Sequence, residues 1–393
     1  MSWPMVKLGS VGEFKAGFGF PIEYQGKKEG DYPFAKVGDI SAVVRSGHKN
    51  IFHAGNYIDK DIVENLKAKT IPKGTIVFAK IGEAIKQNFR AVTSVEMVID
   101  NNVMGLVPDN NIVDTNYLFY FMRSLDLYQF CGATTIPALR KSMLENIQIP
   151  LPPLSEQKRI AAILDKANSI RQKREQAIKL ADGFLRAKFL EMFGTTANNI
   201  HRFPKGKIRD LVDSVNYGTS AKASIDSGEY PILRMGNITY QGGWDFKDLK
   251  YIDLSVKEKD KFLVKEGDLL FNRTNSKELV GKTAVYEEER PMAFAGYLIR
   301  VRPNSIGNNY YISGYLNSTH GKITLMNMCK SIVGMANINA QELQNIEILI
   351  PPKHLQDEYE IIYKKVKKGL SIYDKSAMQL QLLASNLSNK YFM

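Results

Sequence analysis

Apolar positions along this chain follow two patterns that alternate. Residues 1–150 carry short apolar runs, such as Thr75-Ile76-Val77-Phe78-Ala79 and Asn102-Val103-Met104-Gly105-Leu106-Val107, set apart by Gly and Asn. Runs of this length and β-branched content predict strands, and the punctuation predicts turns. One stretch, Tyr117-Leu118-Phe119-Tyr120-Phe121-Met122-Arg123, predicts a helix. After Pro152-Pro153 the pattern switches. Ile160, Ile163, Ala167, Ile170, Ala177, Ala181 and Phe184 recur at helical spacing and predict one long amphipathic helix reaching Phe193. Ser155 stands where it can cap the start, with Glu156 in the first turn. Gly194 stands where a helix takes a left-handed cap.

The alternation then returns. A strand-like run, Leu269-Leu270-Phe271, and a helix-like stretch, Tyr310-Tyr311-Ile312-Ser313-Gly314-Tyr315-Leu316, the counterpart of Tyr117–Arg123, precede Pro351-Pro352. A second long helix follows. In it Val366, Leu370, Tyr373, Ala377, Leu380, Ala384, Leu387 and Tyr391 alternate spacings of four and three, the mark of a coiled-coil seam. Each long helix, roughly 38 residues, extends about 57 Å. The expected architecture is α+β. Two similar α/β domains, residues 1–150 and 196–350, are separated by helices at 151–195 and 351–393. Packed on each other, the two stripes form an antiparallel coiled-coil spacer. Two separate helices, each on its own domain, are the alternative.

Direct repetition supports the duplicated plan. Tyr32-Pro33-Phe34-Ala35-Lys36-Val37-Gly38-Asp39-Ile40 returns as Tyr230-Pro231-Ile232-Leu233-Arg234-Met235-Gly236-Asn237-Ile238. Asn146–Pro153 returns as Asn345–Pro352, and Cys131 is matched by Cys329. Two similar domains related by a pseudo-two-fold axis suit a partner with two-fold geometry, and duplex DNA is the obvious one.

Charge points the same way. The formal net charge is +12 over 393 residues. Residues 1–196 carry 26 Lys+Arg against 20 Asp+Glu, and residues 197–393 carry 27 against 21. An even excess in both halves argues against a single basic tail and favours two positive surfaces facing nucleic acid. Two distant cysteines form no disulfide framework, which points to a reducing compartment. The start, Met1-Ser2-Trp3-Pro4-Met5, is not that of a secretory signal, and no apolar run is long enough for a membrane span. A cytoplasmic location without a membrane partner is expected.

Catalytic motifs are missing. Gly281-Lys282-Thr283 ends like a P-loop, but Ser276 stands where the first glycine belongs. Gly17-Phe18-Gly19 lacks a third glycine. Leu151-Pro152-Pro153-Leu154 and Ile350-Pro351-Pro352-Lys353 lack the polar and aromatic flanks of a base-gripping methyltransferase loop, so these prolines mark helix entry. The histidines (His48, His53, His201, His320, His354) have no zinc-ligand spacing, and Pro108-Asp109 has no nuclease Asp/Glu-x-Lys partner.

Base reading needs paired donors and acceptors on loops of a firm scaffold. Lys80–Arg90 and Asn272–Lys277 fall at equivalent places in the repeat with different residues. Gln87, Asn88 and Asn275 can address adenine and Arg273 guanine. Lys36, Lys80, Lys86, Arg234 and Lys277 can hold phosphates. Arg90 and Asn237 join the candidates. A second pair of loops, Thr134–Lys141 and Val333–Asn339, adds Thr135, Arg140 and Asn337. One scaffold with two readouts is the expectation.

These residues resemble a family. A globular domain, Pro150-Leu151-Pro152-Pro153-Leu154-Ser155-Glu156-Gln157 into a long helix, a second domain and Pro351-Pro352 into a second helix look like the specificity subunit of type I restriction–modification enzymes. The second copy departs from the pattern, with Gln356-Asp357 for Glu-Gln. The resemblance implies that the chain is non-catalytic, and that each target-recognition domain reads one half of a bipartite asymmetric site on double-stranded DNA. It further implies a helical ruler, two methyltransferase subunits and two restriction/translocase subunits. S-adenosylmethionine, ATP and Mg²⁺ then belong to those partners, and this chain binds no cofactor. A free-standing DNA-binding regulator and a coiled-coil protein scaffold remain as other readings. A self-sufficient methyltransferase is disfavoured.

Overall fold

The computed structural model describes residues 3–132, 136–332 and 334–392. The chain forms two compact units, residues 1–175 with 375–393, and residues 176–374. Five helices carry the argument: α1 (Val37–Arg45), α2 (Thr115–Ser124), α3 (Leu154–Phe193), α4 (Asn309–Asn317) and α5 (Lys353–Phe392).

In the first unit the main sheet runs in the order Gly12–Ala16, Val103–Pro108, Ile76–Ala79, Arg90–Thr93, Asn50–Ile51. Its central run, Ile76-Val77-Phe78, is apolar at every position because both faces are covered. Ile76 and Phe78 point into a core with α2, while Val77 joins the core that α1 covers, with Ala35, Ile40 and Ile51. The period of two thus divides one strand between two cores. A smaller sheet, Tyr57–Ile58, Tyr32–Ala35, Val98–Ile99, lies beside it. Met5–Lys7 pairs antiparallel with Gln148–Pro150, so the strand before Pro152-Pro153 meets the start of the domain.

The second unit repeats this plan. Val212–Tyr217, Leu298–Pro303, Leu269–Asn272 and Thr283–Val285 form the main sheet. Leu269 and Phe271 face one core and Leu270 another. Lys205–Lys207 pairs with Glu347–Leu349 as Met5–Lys7 does with Gln148–Pro150. The parallel pair Tyr32–Ala35/Val98–Ile99 returns as Tyr230–Leu233/Met292–Phe294.

The central helices match as well. In α2 six consecutive residues, Tyr117 to Met122, are buried, and the Asp114 side chain accepts from the Asn116 and Tyr117 N–H groups. The Tyr117 hydroxyl donates to the Pro150 carbonyl at 2.7 Å, and the Tyr311 hydroxyl donates to Leu349 at 2.7 Å. Tyr311, rather than Tyr310, is therefore the partner of Tyr117.

Each unit holds half of each long helix. In the first, Arg159 Nη2 donates to the Tyr391 hydroxyl at 3.2 Å, and the Phe392 ring lies 5.3 Å from Tyr117. In the second, Lys367 pairs with Asp182 at 3.7 Å, and Phe193 lies 4.7 Å from Tyr311. In that unit Phe189 of α3 also lies 5.3 Å from Tyr359 of α5, so rising numbers on α3 meet falling numbers on α5 and the two halves pack antiparallel there. Gly194 ends α3 with φ +66°, its N–H bonded to the Leu190 carbonyl at 2.8 Å. A Cβ there would meet the Asn198 carbonyl oxygen at 2.6 Å.

Three expectations are corrected. The helix starts at Leu154, and the Pro153 carbonyl accepts from Glu156 and Gln157, which places Ser155 inside the first turn rather than at the cap. Phe184 is 52% exposed and Tyr373 53%, because Leu185, Phe189 and Phe193 carry the buried stripe of α3 in the second unit and Tyr359 that of α5. The side chains of Ala377, Leu380 and Ala384 are not among those described. Lastly, the second proline mark keeps the family glutamine. Gln157 donates to the Pro152 and Ile112 carbonyls at 2.8 and 3.1 Å, and Gln356 donates to Pro351 and Ile306 at 2.8 and 3.0 Å. Gln356 follows Gln157 by 199 residues, as Pro351 follows Pro152, so setting Gln356-Asp357 against Glu156-Gln157 is displaced by one residue and Leu355 is the counterpart of Glu156.

Candidate nucleic-acid interface

The two loop groups of each unit come together. In the first, the Lys80 N–H donates to the Asn102 carbonyl at 2.8 Å, and the Lys80 carbonyl accepts from Leu139 at 2.9 Å. In the second, the Arg273 N–H donates to Tyr297 at 3.0 Å and its carbonyl accepts from Ile338 at 2.9 Å. Lys80 and Arg273 occupy one backbone position with different side chains. Gly82 N–H bonds to Pro137 at 2.8 Å in the first unit. In the second, Thr274–Asn275 pairs with Ala336–Asn337 as strands, and Thr274 Oγ1 donates to Asn337 Oδ1 at 3.1 Å.

Arg273 is half-buried, with its guanidinium 4.9 Å from the Tyr217 ring centre and Nη1 3.4 Å from the Gly296 carbonyl. Cation–π contact holds such a group in place while leaving donors for a ligand. Tyr217 is 42% exposed and Tyr297 53%. These tyrosines and Asn102 escaped the sequence reading, since the strand pairing that brings them to Arg273 and Lys80 is non-local. For the two tyrosines the signal is a glycine neighbour at a strand end, Tyr217-Gly218 and Gly296-Tyr297; Asn102 carries none.

Other candidates have internal work. Asn88, at φ +55°, donates to the Leu125 carbonyl at 2.8 Å. Its Oδ1 accepts from Arg90 Nη2 at 2.8 Å and from the Leu127 N–H at 3.2 Å. Arg90 is 2% exposed and also bonds the Asn88 and Leu125 carbonyls. Asn237 is 3% exposed; it accepts from the Arg234 N–H at 2.8 Å and donates to the Asp245 and Asp248 carbonyls. In the first copy Asp39 accepts from the Lys36 N–H at 2.8 Å. The repeated Lys-x-x-Asp and Arg-x-x-Asn is thus a helix-start box, retained for folding. Burial removes Arg90 and Asn237 from direct base reading in this structure.

Lys36 bonds Gln25 Oε1, and Arg234 bonds Asp248 Oδ2 at 2.8 Å. Exposed Lys86 pairs with Glu83 at 2.7 Å and lies 4.9 Å from the Tyr128 ring. Exposed Gln87 accepts from Arg45 at 3.0 Å. Arg140 and Lys277 are exposed, and Asn275 Oδ1 accepts from Ser276 N–H at 2.9 Å. Thr135, with Thr134 and Val333, lies outside the described residues. Among the described residues no group of three or more His, Cys, Asp or Glu is placed to hold a metal, and no helix is long and apolar enough to cross a membrane.

Two units with one scaffold and different side chains at the matched loop position define a duplicated recognition-type protein. The comparisons give that class its family. A family model described as the type I restriction modification DNA specificity domain matches residues 2–180 and again 203–380, and the chain belongs to this family. It is 24% identical over 305 residues to the type I restriction enzyme EcoKI specificity subunit of Escherichia coli, covering 72% of this chain and 65% of that one. The StySPI specificity subunit of Salmonella potsdam is 26% identical over 66% of this chain and 59% of its own. These matches therefore span less than two thirds of those relatives. The MjaIX specificity subunit of Methanocaldococcus jannaschii is 20% identical over 99% of this chain and 92% of its own. The crystal structure of a type I restriction-modification S subunit from M. genitalium matches with a TM-score of 0.66 at 15% identity, over 100% of this chain and 96% of that one.

Proposed function

We propose that this chain is the DNA sequence-recognition subunit of a type I restriction–modification complex. Each unit reads one half of a bipartite, asymmetric site, and the helices set the unread gap. The observation that carries this reading is the shared position of Lys80 and Arg273, held by the same pair of backbone hydrogen bonds in both units. A common frame with Lys in one copy and Arg in the other supports two different half-sites, since Arg is the bidentate reader of guanine and Lys a point charge. The reading set is then Lys80, Lys86, Gln87 and Arg140 in the first unit and Arg273, Asn275, Lys277 and Asn337 in the second. Asn88, Arg90 and Asn237 hold their loops. Lys36 and Arg234, beside those boxes, serve the backbone phosphates.

This chain supplies no chemistry in that reading. Two methyltransferase subunits with S-adenosylmethionine, and two restriction/translocase subunits with ATP and Mg²⁺, dock on it in the cytoplasm. Membership of the specificity family supports this division of labour. Mapping methylated adenines in the source genome with and without the gene tests it. A two-part motif that vanishes with the gene is expected; an unchanged methylation map refutes it.

A further inference from the structure

Beside the reading segment of the first unit lies a cleft of about 300 Å³. Four cations line it, Lys49, Arg90, Arg123 and Arg171, with His48 and Gln87, and no Asp or Glu is among the described lining residues. They come from four parts of the chain: the turn after α1, the 87–90 segment, the end of α2 and the middle of α3.

Two of these charges are already matched. Lys49 pairs with Asp165, and Arg171 with Glu175 at 2.6 Å. Arg90 and Arg123 form no ion pair among the described residues. Arg123 sits 5.8 Å from the Phe119 ring and Lys49 sits 5.7 Å from the same ring. The Arg90 Nε is buried with no hydrogen-bond partner among the described residues. Burial first, and Arg123 second, pull the Arg90 guanidinium down to about 9 against the opposing effect of Asp126, so it stays charged at neutral pH. Holding cations together in a partly desolvated cleft is costly unless an anion joins them.

We infer that this cleft is a seat for a phosphodiester of the DNA backbone, bound chiefly by Arg123 and Arg171 over the fixed charge of Arg90. The inference rests on the recognition reading above and adds to it a site that fixes register rather than reading bases. Guanidinium forks match phosphate oxygens in pairs. An acidic protein surface has a related chemistry. Continuity favours DNA, because Gln87, Asn88 and Arg90 belong both to the cleft and to the segment that leads out of the Lys80 loop.

Arg123→Gln and Arg171→Gln, made in the full chain with the subunits that copurify, test the proposal. Affinity is measured across a salt series for a duplex carrying the mapped motif and for a scrambled duplex. Each variant is expected to reduce the slope of log affinity against log salt by about 0.9. Both duplexes should weaken by the same factor, with the methylated motif unchanged and Arg123→Lys keeping the wild-type salt slope. An unchanged slope in both variants overturns the proposal. So does a slope that holds while partner subunits are lost, which would make the cleft a protein-docking surface. A wild-type chain with no salt-dependent DNA binding refutes the recognition reading itself, and the seat with it.

Discussion

Gln157 is fully buried, and its amide ties three segments: Nε2 serves the Pro152 and Ile112 carbonyls, and Oε1 accepts from the Asp114 N–H at 2.8 Å. Gln356 makes the same two donations, but its Oε1 is buried without a partner among the described residues. Removing either amide leaves buried carbonyls unpaired, at about 1–3 kcal/mol. Gln157→Ala should cost more than Gln356→Ala, because it also frees the Asp114 N–H; denaturant melts of the two variants decide this. Lys322 presents the opposite case. Its Nζ is buried without a hydrogen-bond partner among the described residues, 4.9 Å from the Tyr240 ring. Burial, then the nearby Arg186 and Lys282, lower this amine to about 8. Between about 8 and the ordinary value of 10.5 the unfolded chain binds the extra proton, so stability rises as pH rises through that window. The rise is roughly 1–3 kcal/mol. Lys322→Met should remove it and stabilise the chain at neutral pH, as read from the difference between wild-type and variant melts over pH. Neither role was legible in the sequence, where a polar side chain carries no sign of what surrounds it.

At the scale of elements, apolar pattern and observed structure agree wherever local signals are strong. Strands at Ile76–Ala79 and Leu269–Asn272, helices at Thr115–Ser124 and Asn309–Asn317, and entry to both long helices after a proline pair all follow the pattern. The buried stripe of α3 departs from its apolar periodicity, since a helix that packs on a domain at its ends and on another helix elsewhere shifts its buried face. Phe184 lost its place to Leu185 for that reason. Aromatic plugs matter most. Phe193 is 1% exposed and Phe392 9%, one against Tyr311 and the other against Tyr117 and Phe121. Truncating a buried Phe costs about 3–5 kcal/mol. Hydrogen exchange should therefore rise in residues 115–124 for Phe392→Ala and in residues 309–317 for Phe193→Ala. Exchange confined to the sequence neighbours of each phenylalanine would contradict these contacts.

For the molecule as a whole, duplication is the organising fact. Arg273→Gln should relax the motif at a base in one half-site and leave the other intact, with a discrimination loss of about 1–3 kcal/mol at that base. Lys80→Gln should weaken binding in the other half. If the helices set the gap, four residues inserted between Ala177 and Ala181 should change its length and spare both half-sites. The register of α3 against α5 makes a compensating insertion in α5 the needed control. Methylation maps of the variants read all of these outcomes, and altered half-site sequences after the insertion would exclude the ruler.

The sequence by itself determined the repeat, the α+β alternation, the two long helices and the even positive charge, because each is written in local periodicity or in composition. Tertiary structure alone decided which polar residues face outward. Arg90 and Asn237 have the chemistry of DNA readers and are buried inside the fold, and half-buried Asn88 is held by Arg90, Leu125 and Leu127, because buried carbonyls and N–H groups require partners. Arg123, Lys49 and Arg171, far apart in sequence, gather in one cleft because strand pairing and helix packing bring distant segments together.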